Sequence, residues 1–181
     1  DTVYDFEPET ACTSVCYVDA VNGNDAFGGD TPASAKKTIQ AGIDAVSPGG
    51  QVRVLPGTYS ETASGRTLTS IGGTYTFGLF IGDAKSGITI MGVDAGDNPI
   101  TSYSSVLATI NTNATNDFGP SGIFVEGDDV TISGVQLTGL VGASKTTWDG
   151  AQLRLRWAHT AVGTADTTQI RVSAVELDGT Y

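Results

Sequence analysis

Gly87-Ile88-Thr89-Ile90-Met91-Gly92-Val93 and Asp129-Val130-Thr131-Ile132-Ser133-Gly134-Val135 carry one pattern twice, 42 residues apart. In each, a Thr stands between two apolar β-branched residues and a Gly follows two places later. A strand sends successive side chains to opposite faces, so these segments bury Ile and Val and turn Thr outward. A third triplet, Ala108-Thr109-Ile110, falls between them and gives spacings of about 20 and 22 residues. That reads as a solenoid period, with the 42-residue distance as two turns of one coil. A second ladder runs beside it: Gly78-Leu79-Phe80-Ile81 and Gly122-Ile123-Phe124-Val125 are 44 residues apart. Each coil is then expected to hold two or three short strands that stack on the next coil, since no coil can bury its apolar face alone.

Upstream, Gln51-Val52-Arg53-Val54-Leu55 reads as a strand ended by Pro56-Gly57. Ile39, Ile43 and Val46 fall at i, i+4, i+7, the stripe of one short amphipathic helix, and Ser47-Pro48-Gly49-Gly50 stops it. Before the helix lies a polar loop from Asp19 to Pro32, and before that an acidic, irregular arm over residues 1–16. Downstream the pattern breaks. Leu153, Leu155 and Trp157 alternate with Gln152, Arg154 and Arg156, and Ile170, Val172 and Ala174 with Arg171 and Ser173. The spacing predicts an antiparallel hairpin over 148–181, packed on the same domain or capping its open end.

The chain has 181 residues and a net charge of -11, from nine Lys plus Arg against twenty Asp plus Glu. That length suits one domain, and the charge repels a phosphate backbone, so no nucleic-acid partner is expected. No apolar run approaches the roughly 18 residues of a membrane helix, and no basic-apolar leader stands at Asp1, so membrane insertion is not expected and any signal peptide is taken as already removed. With one His and two Cys there is no His pair or four-Cys set for zinc, and little material for a Ser-His-Asp triad. Cys12 and Cys16, four apart, are expected to close a small loop as a disulfide in an oxidising compartment, the other reading being two free thiols. With the acidic, Thr/Gly/Ser-rich composition this points to a secreted, extracellular or cell-surface protein.

The stretch Tyr17 to Glu61, YVDAVNGNDAFGGDTPASAKKTIQAGIDAVSPGGQVRVLPGTYSE, resembles the N-terminal entry of the pectate-lyase-like right-handed parallel β-helix superfamily. The resemblance rests on the Tyr-Val-Asp start, the Gly-Asn-Asp loop, Lys37-Thr38-Ile39-Gln40 opening a capping helix, and Val54-Leu55-Pro56-Gly57-Thr58-Tyr59 in a first coil. With the repeats it extends to about residue 140, while the last segment looks more like the end of an extracellular jelly-roll. It implies a short right-handed parallel β-helix with one capping helix over 17–147; together with the 1–16 arm and its disulfide and the C-terminal hairpin, read from the residues themselves, the expected fold is all-β. It does not settle activity, because the superfamily holds lyases, glycosidases, adhesins and catalytically silent surface proteins.

The candidate chemistry is sparse. A glycosidase needs two carboxylates roughly 5 to 9.5 Å apart; Asp128 with Asp129, or Asp94 with Asp97, are the pairs on offer. Asp128-Asp129 reads better as a turn, where short polar side chains satisfy backbone. A lyase needs a Lys or Arg base near calcium, but Arg53, Arg66, Lys85 and Lys145 do not repeat at the coil period. Calcium prefers hard oxygens in a Gly-containing loop, and Asp19, Asn22, Asn24, Asp25 and Asp30 supply five within twelve residues; Asx-turns without metal are the competing reading. His159 is read as a solvated loop residue; Trp148, Trp157, Tyr75 and Tyr103 are the aromatics that could stack on sugars, with Trp157 in phase with core positions. Asn113-Ala114-Thr115 is a glycosylation sequon.

The expectation is a secreted, non-catalytic structural or cell-surface subunit that self-associates as a homo-oligomer or filament through arm and hairpin. The alternatives are a polysaccharide-binding adhesin module and a small polysaccharide lyase or glycoside hydrolase.

Overall fold

The computed structural model describes residues 12–61, 67–70, 73–101, 107–111, 123–138, 153–155, 170–173 and 176–177. It is mainly β, with one α-helix among the described residues. The first circuit holds β1 (Val15–Val18), helix α1 (Ile39–Ala45), β2 (Gln51–Val54), β3 (Gly57–Ser60), the antiparallel pair β4 (Thr67–Ser70) and β5 (Gly73–Thr76), and β6 (Leu79–Ile81). Then follow β7 (Thr89–Gly92), β8 (Ala108–Asn111), β9 (Ile123–Val125), β10 (Val130–Ser133), β11 (Val135–Thr138), β12 (Leu153–Leu155), β13 (Ile170–Ser173) and β14 (Glu176–Leu177).

Three parallel sheets result, in the orders β1-β2-β7-β10-β13, β3-β8-β11-β14 and β6-β9-β12. The chain visits the sheets in turn, so β2, β3 and β6 are followed by β7, β8 and β9, and these by β10, β11 and β12. In the first sheet Val52, Ile90, Ile132 and Val172 share one register row, at steps of 38, 42 and 40 residues. In the third, Leu79 pairs with Ile123 and Ile81 with Val125, the 44-residue step read from the sequence.

The triplet Ala108-Thr109-Ile110 departs from the expected ladder. It lies in β8, in the second sheet, against Gly57–Tyr59 and Val135–Leu137, whereas Ile88-Thr89-Ile90 aligns with Val130-Thr131-Ile132 in the first. The full circuit is therefore about 42 residues, and the 20-residue spacing separates strands of different sheets. A short strand has the same Val/Ile/Thr pattern whichever face of the circuit it joins, which is why the triplets looked equivalent.

The antiparallel hairpin expected over 148–181 is also corrected. Leu153–Leu155 pairs with β9 and Ile170–Ser173 with β10, both parallel and in different sheets. Alternation of apolar and polar residues marks a half-buried strand but carries no information about the direction of its partner.

One face of β1, β2 and β6 to β10 is buried. Cys16, Val18, Val52, Val54, Leu79, Ile81, Ile90, Ile110, Ile123, Val125, Val130 and Ile132 are buried, forming one continuous cluster with Ile39, Ile43 and Val46 of the helix segment. Each such aliphatic side chain contributes about 1.5–3 kcal/mol by leaving water. Helix α1 begins at its Thr38 N-cap, whose side chain accepts from the Ala41 amide, and ends at Val46, before Ser47-Pro48-Gly49-Gly50. Cys12 and Cys16 are joined as a disulfide, with Cα atoms 5.2 Å apart, inside the core cluster. The arm boundary placed at residue 16 thus falls inside β1: Val15 and Cys16 belong to the first sheet, and Cys12 lies in the core cluster.

Among the described residues no helix is long and apolar enough to cross a membrane.

Candidate functional site

A polar constellation that joins three separate segments stands on the outer side of the first sheet. Strand alternation turns Cys16 and Val52 inward and the next residues, Tyr17 and Arg53, outward, where register sets them side by side. A tight turn after β7 delivers the third member. Asp94 Oδ1 accepts the Gly96 and Asn98 amides at 2.8 and 2.9 Å, closing an Asx-turn. Asp97 takes a left-handed backbone (φ 65°), which Asp tolerates better than most residues. Its carboxylate lies over the sheet, with Oδ2 accepting Arg53 Nη1 at 2.6 Å and the Tyr17 hydroxyl at 2.9 Å. Oδ1 is buried and has no hydrogen-bond partner among the described residues.

The electrostatics of this trio favour holding over proton transfer. The Arg53 hydrogen bond, with help from Tyr17, keeps the Asp97 carboxyl below the usual carboxylate range. Burial, with Asp97, raises the Tyr17 phenol, and Asp97 raises the Arg53 guanidinium. A depressed carboxylate is a weak base and a raised phenol a weak acid, so each group is fixed in its resting charge.

The five loop residues considered for calcium are not brought to one point. Asp19 Oδ1 accepts the Val21 and Asn22 amides, and Oδ2 accepts Asn22 Nδ2. Burial opposes ionisation of Asp19, yet these bonds from Asn22 and Val21 lower its pKa. Asn24 Oδ1 accepts the Ala26 amide. Asp25 Oδ1 accepts the Lys37 and Thr38 amides, both at 2.8 Å, and Oδ2 accepts the Thr38 hydroxyl. Asp30 Oδ1 accepts the Ser34 hydroxyl. Each side chain organises its own stretch of loop, and among the described residues no three His, Cys, Asp or Glu side chains converge as a metal site.

The remaining candidates separate as well. Asp128 and Asp129 sit in a turn, Asp129 at φ 53°, with the Asp128 amide bonded to Ser86 Oγ and its carbonyl to the Gly87 amide. Lys85 donates to the Asp44 and Val46 carbonyls, closing the C-terminal end of α1. Tyr75 lies on β5. Arg66, Tyr103, Asn113-Ala114-Thr115, Lys145, Trp148, Trp157 and His159 lie outside the described residues.

Residues to which sequence reasoning gave no hydrogen-bonding role close the first rung. Tyr17 N–H donates to the Gly29 carbonyl and its C=O accepts from Lys36, so the loop occupies the outer edge of β1. Gln40 does the same for β6, exchanging hydrogen bonds with Phe80. Buried Glu61 accepts the Ile39 amide at 2.6 Å. The available signal was a polar residue, Gln40, beside Ile39 at the start of the apolar stripe.

Compared with protein families, characterised proteins and solved structures, the chain matches none.

Proposed function

We propose that this chain is a secreted, non-catalytic structural subunit, a short right-handed parallel β-helix that associates with copies of itself at a cell surface or in a matrix. The β-helix reading is supported by three parallel sheets visited in rotation at a step of about 42 residues. A right hand is supported by the β1-α1-β2 crossover, since parallel crossovers are almost always right-handed. The resemblance of Tyr17–Glu61 to the entry of pectate-lyase-like proteins points the same way.

The observation that carries the non-catalytic reading is how the acidic side chains are used. Asp19, Asp25, Asp30 and Asp94 serve turns and caps, and Asp97 serves an ion pair that fixes its charge. A glycosidase or lyase needs carboxylates or cations directed at an open cleft. Self-association is polar in this reading. With β1 and β6 edged by the chain's own loop and helix, copies join through the far end, where β12, β13 and β14 are the last described strands of their sheets.

Light scattering with electron microscopy on purified protein tests the assembly. Defined oligomers or filaments are expected, and a monomer at all accessible concentrations overturns it.

A second reading, a polysaccharide-binding module, is favoured by the outer row Thr58, Thr109 and Gln136 of the second sheet, where the Thr109 hydroxyl donates to Gln136 Oε1 at 3.0 Å. Hydroxyls and amides in register across strands suit a ligand rich in hydroxyls. Retention on immobilised polysaccharides, lost on Thr109→Val, is its test.

A further inference from the structure

Glu61 follows β3 directly, is 4% exposed, and directs its carboxyl at the start of α1. Its Oε1 accepts the Ile39 N–H at 2.6 Å, and the Gln40 N–H also donates to this carboxyl. Its own N–H donates to the Asn111 carbonyl at 2.8 Å, so one residue ties the capping helix to the end of β8. The exposed Asp25 works at the same helix terminus, through the Lys37 and Thr38 amides. Two carboxyls thus serve one end of a seven-residue helix, and the buried one is Glu61.

The charged and titratable groups around Glu61 do not neutralise it. Asp25 faces it from the loop and Tyr59 from β3; the Lys36 ammonium is bound to the Asp25 and Phe27 carbonyls. On α1 itself Asp44 is bound to Gln40 Nε2. No ion pair to Glu61 forms among the described residues.

We propose that Glu61 is a proton-operated latch on the capping helix: with its proton it keeps α1 and the Gln40–Phe80 contact seated on the first rung, and on losing it lets them lift. Helix amides and the positive helix end favour the anion, but a carboxylate sealed from water beside another carboxylate is costly, and burial decides. Burial pushes the Glu61 carboxyl up from 4.5 to about 7, against the pull of the two amides and with a further push from Asp25. A raised carboxyl stabilises the seated cap fully below its open-state pKa. That contribution is lost as pH climbs through the seated-state value and is gone above it. Between about pH 5 and 7 the opening equilibrium therefore rises up to about tenfold per pH unit, then levels off.

The latch does not depend on the self-association reading, because it is read on single chains. Hydrogen exchange of the whole protein, corrected for the intrinsic pH dependence, follows residues 39–46 and Phe80 from pH 5 to 8 in wild type and Glu61→Gln. The expected result is opening that climbs up to about tenfold per unit to pH 7 in wild type and stays flat in Glu61→Gln, which retains the acceptor oxygen. A flat wild-type profile, or the same slope in the variant, overturns the proposal. Should Glu61→Gln fail to fold, the carbon-13 titration of the wild-type Glu61 carboxyl decides: a midpoint near 7 supports the latch and one near 4.5 overturns it.

Discussion

Gln40 and Phe80 hydrogen-bond to each other as two strands would. The Phe80 N–H donates to Gln40 Oε1 at 2.8 Å, and Gln40 Nε2 donates to the Phe80 carbonyl at 3.1 Å. The reason lies in β6. The Glu126 amide donates to the Ile81 carbonyl, so Ile81 faces β9, and its neighbour Phe80 must present both backbone groups to the opposite, outer edge. A side-chain amide has one donor and one acceptor in a backbone-like arrangement, and Gln40, 6% exposed, supplies them from the helix. Gln40→Met keeps the volume and removes both bonds to Phe80, together with the bond from Gln40 Nε2 to Asp44, under a helix that still excludes water. The expected loss is about 2–4 kcal/mol, or roughly 5–15 °C in Tm for a chain of this size. Thermal unfolding checks it, and an unchanged Tm would show that water replaces the amide.

The repeat and the helix were legible because both depend on burying one face. Ile88, Ile90, Val130 and Ile132 could only be an inward row, and Ile39, Ile43 and Val46 only a helical stripe. Which sheet a triplet joins was not legible, since Ala108-Thr109-Ile110 differs from its neighbours only in the length of connecting chain. The roles of Gln40, Glu61 and Asp97 were hidden for a related reason. Their partners are backbone groups 40, 22 and 44 residues away in sequence or a side chain brought near by the circuit, and no local spacing encodes them.

The Arg53–Asp97 pair is about a quarter to a third exposed on its two sides, so solvent screens it. Asp97→Asn keeps a residue that accepts the left-handed backbone and loses the charge, and is expected to cost less than about 1 kcal/mol at neutral pH. Asp97→Ala adds the strain of a positive φ and costs more, about 1–3 kcal/mol. Because Asp97 is held low by Arg53, its contribution is present above the unfolded carboxylate pKa and lost as pH falls through the depressed one. Urea midpoints of wild type and Asp97→Asn should converge in acid, and a gap that persists there refutes the ion-pair account.

The disulfide closes a very short loop, from Cys12 to Cys16, and so removes little freedom from the unfolded chain. Loop-closure entropy for five residues gives about 2 kcal/mol. Both cysteines are buried against the core, so reduction is expected to be slow in the native state and to lower the urea midpoint without abolishing folding. Loss of the whole unfolding transition on reduction would mean that β1 is seated by the disulfide and not by the Val18 and Ile43 packing.

The glycines of the deciding repeat mark where successive circuits touch. A Cβ on Gly92 would overlap the backbone carbonyl of Gly134, its counterpart 42 residues on. Gly134 itself sits at φ 67° with Ile100 2.9 Å from where its Cβ would stand. The obstacle at Gly92 is the backbone of Gly134, in the corner that directly follows β10 in the parallel stack on β7 and cannot yield without disturbing the ladder, whereas at Gly134 it is partly the Ile100 side chain. Gly92→Ala is therefore expected to be the more damaging of the two, by more than about 3 kcal/mol or by failure to accumulate folded protein, and Gly134→Ala to cost about 1–3 kcal/mol from its left-handed backbone. Paired denaturation curves check the order; if Gly134→Ala proves the worse, backbone conformation rather than contact between circuits fixes the glycine in this repeat.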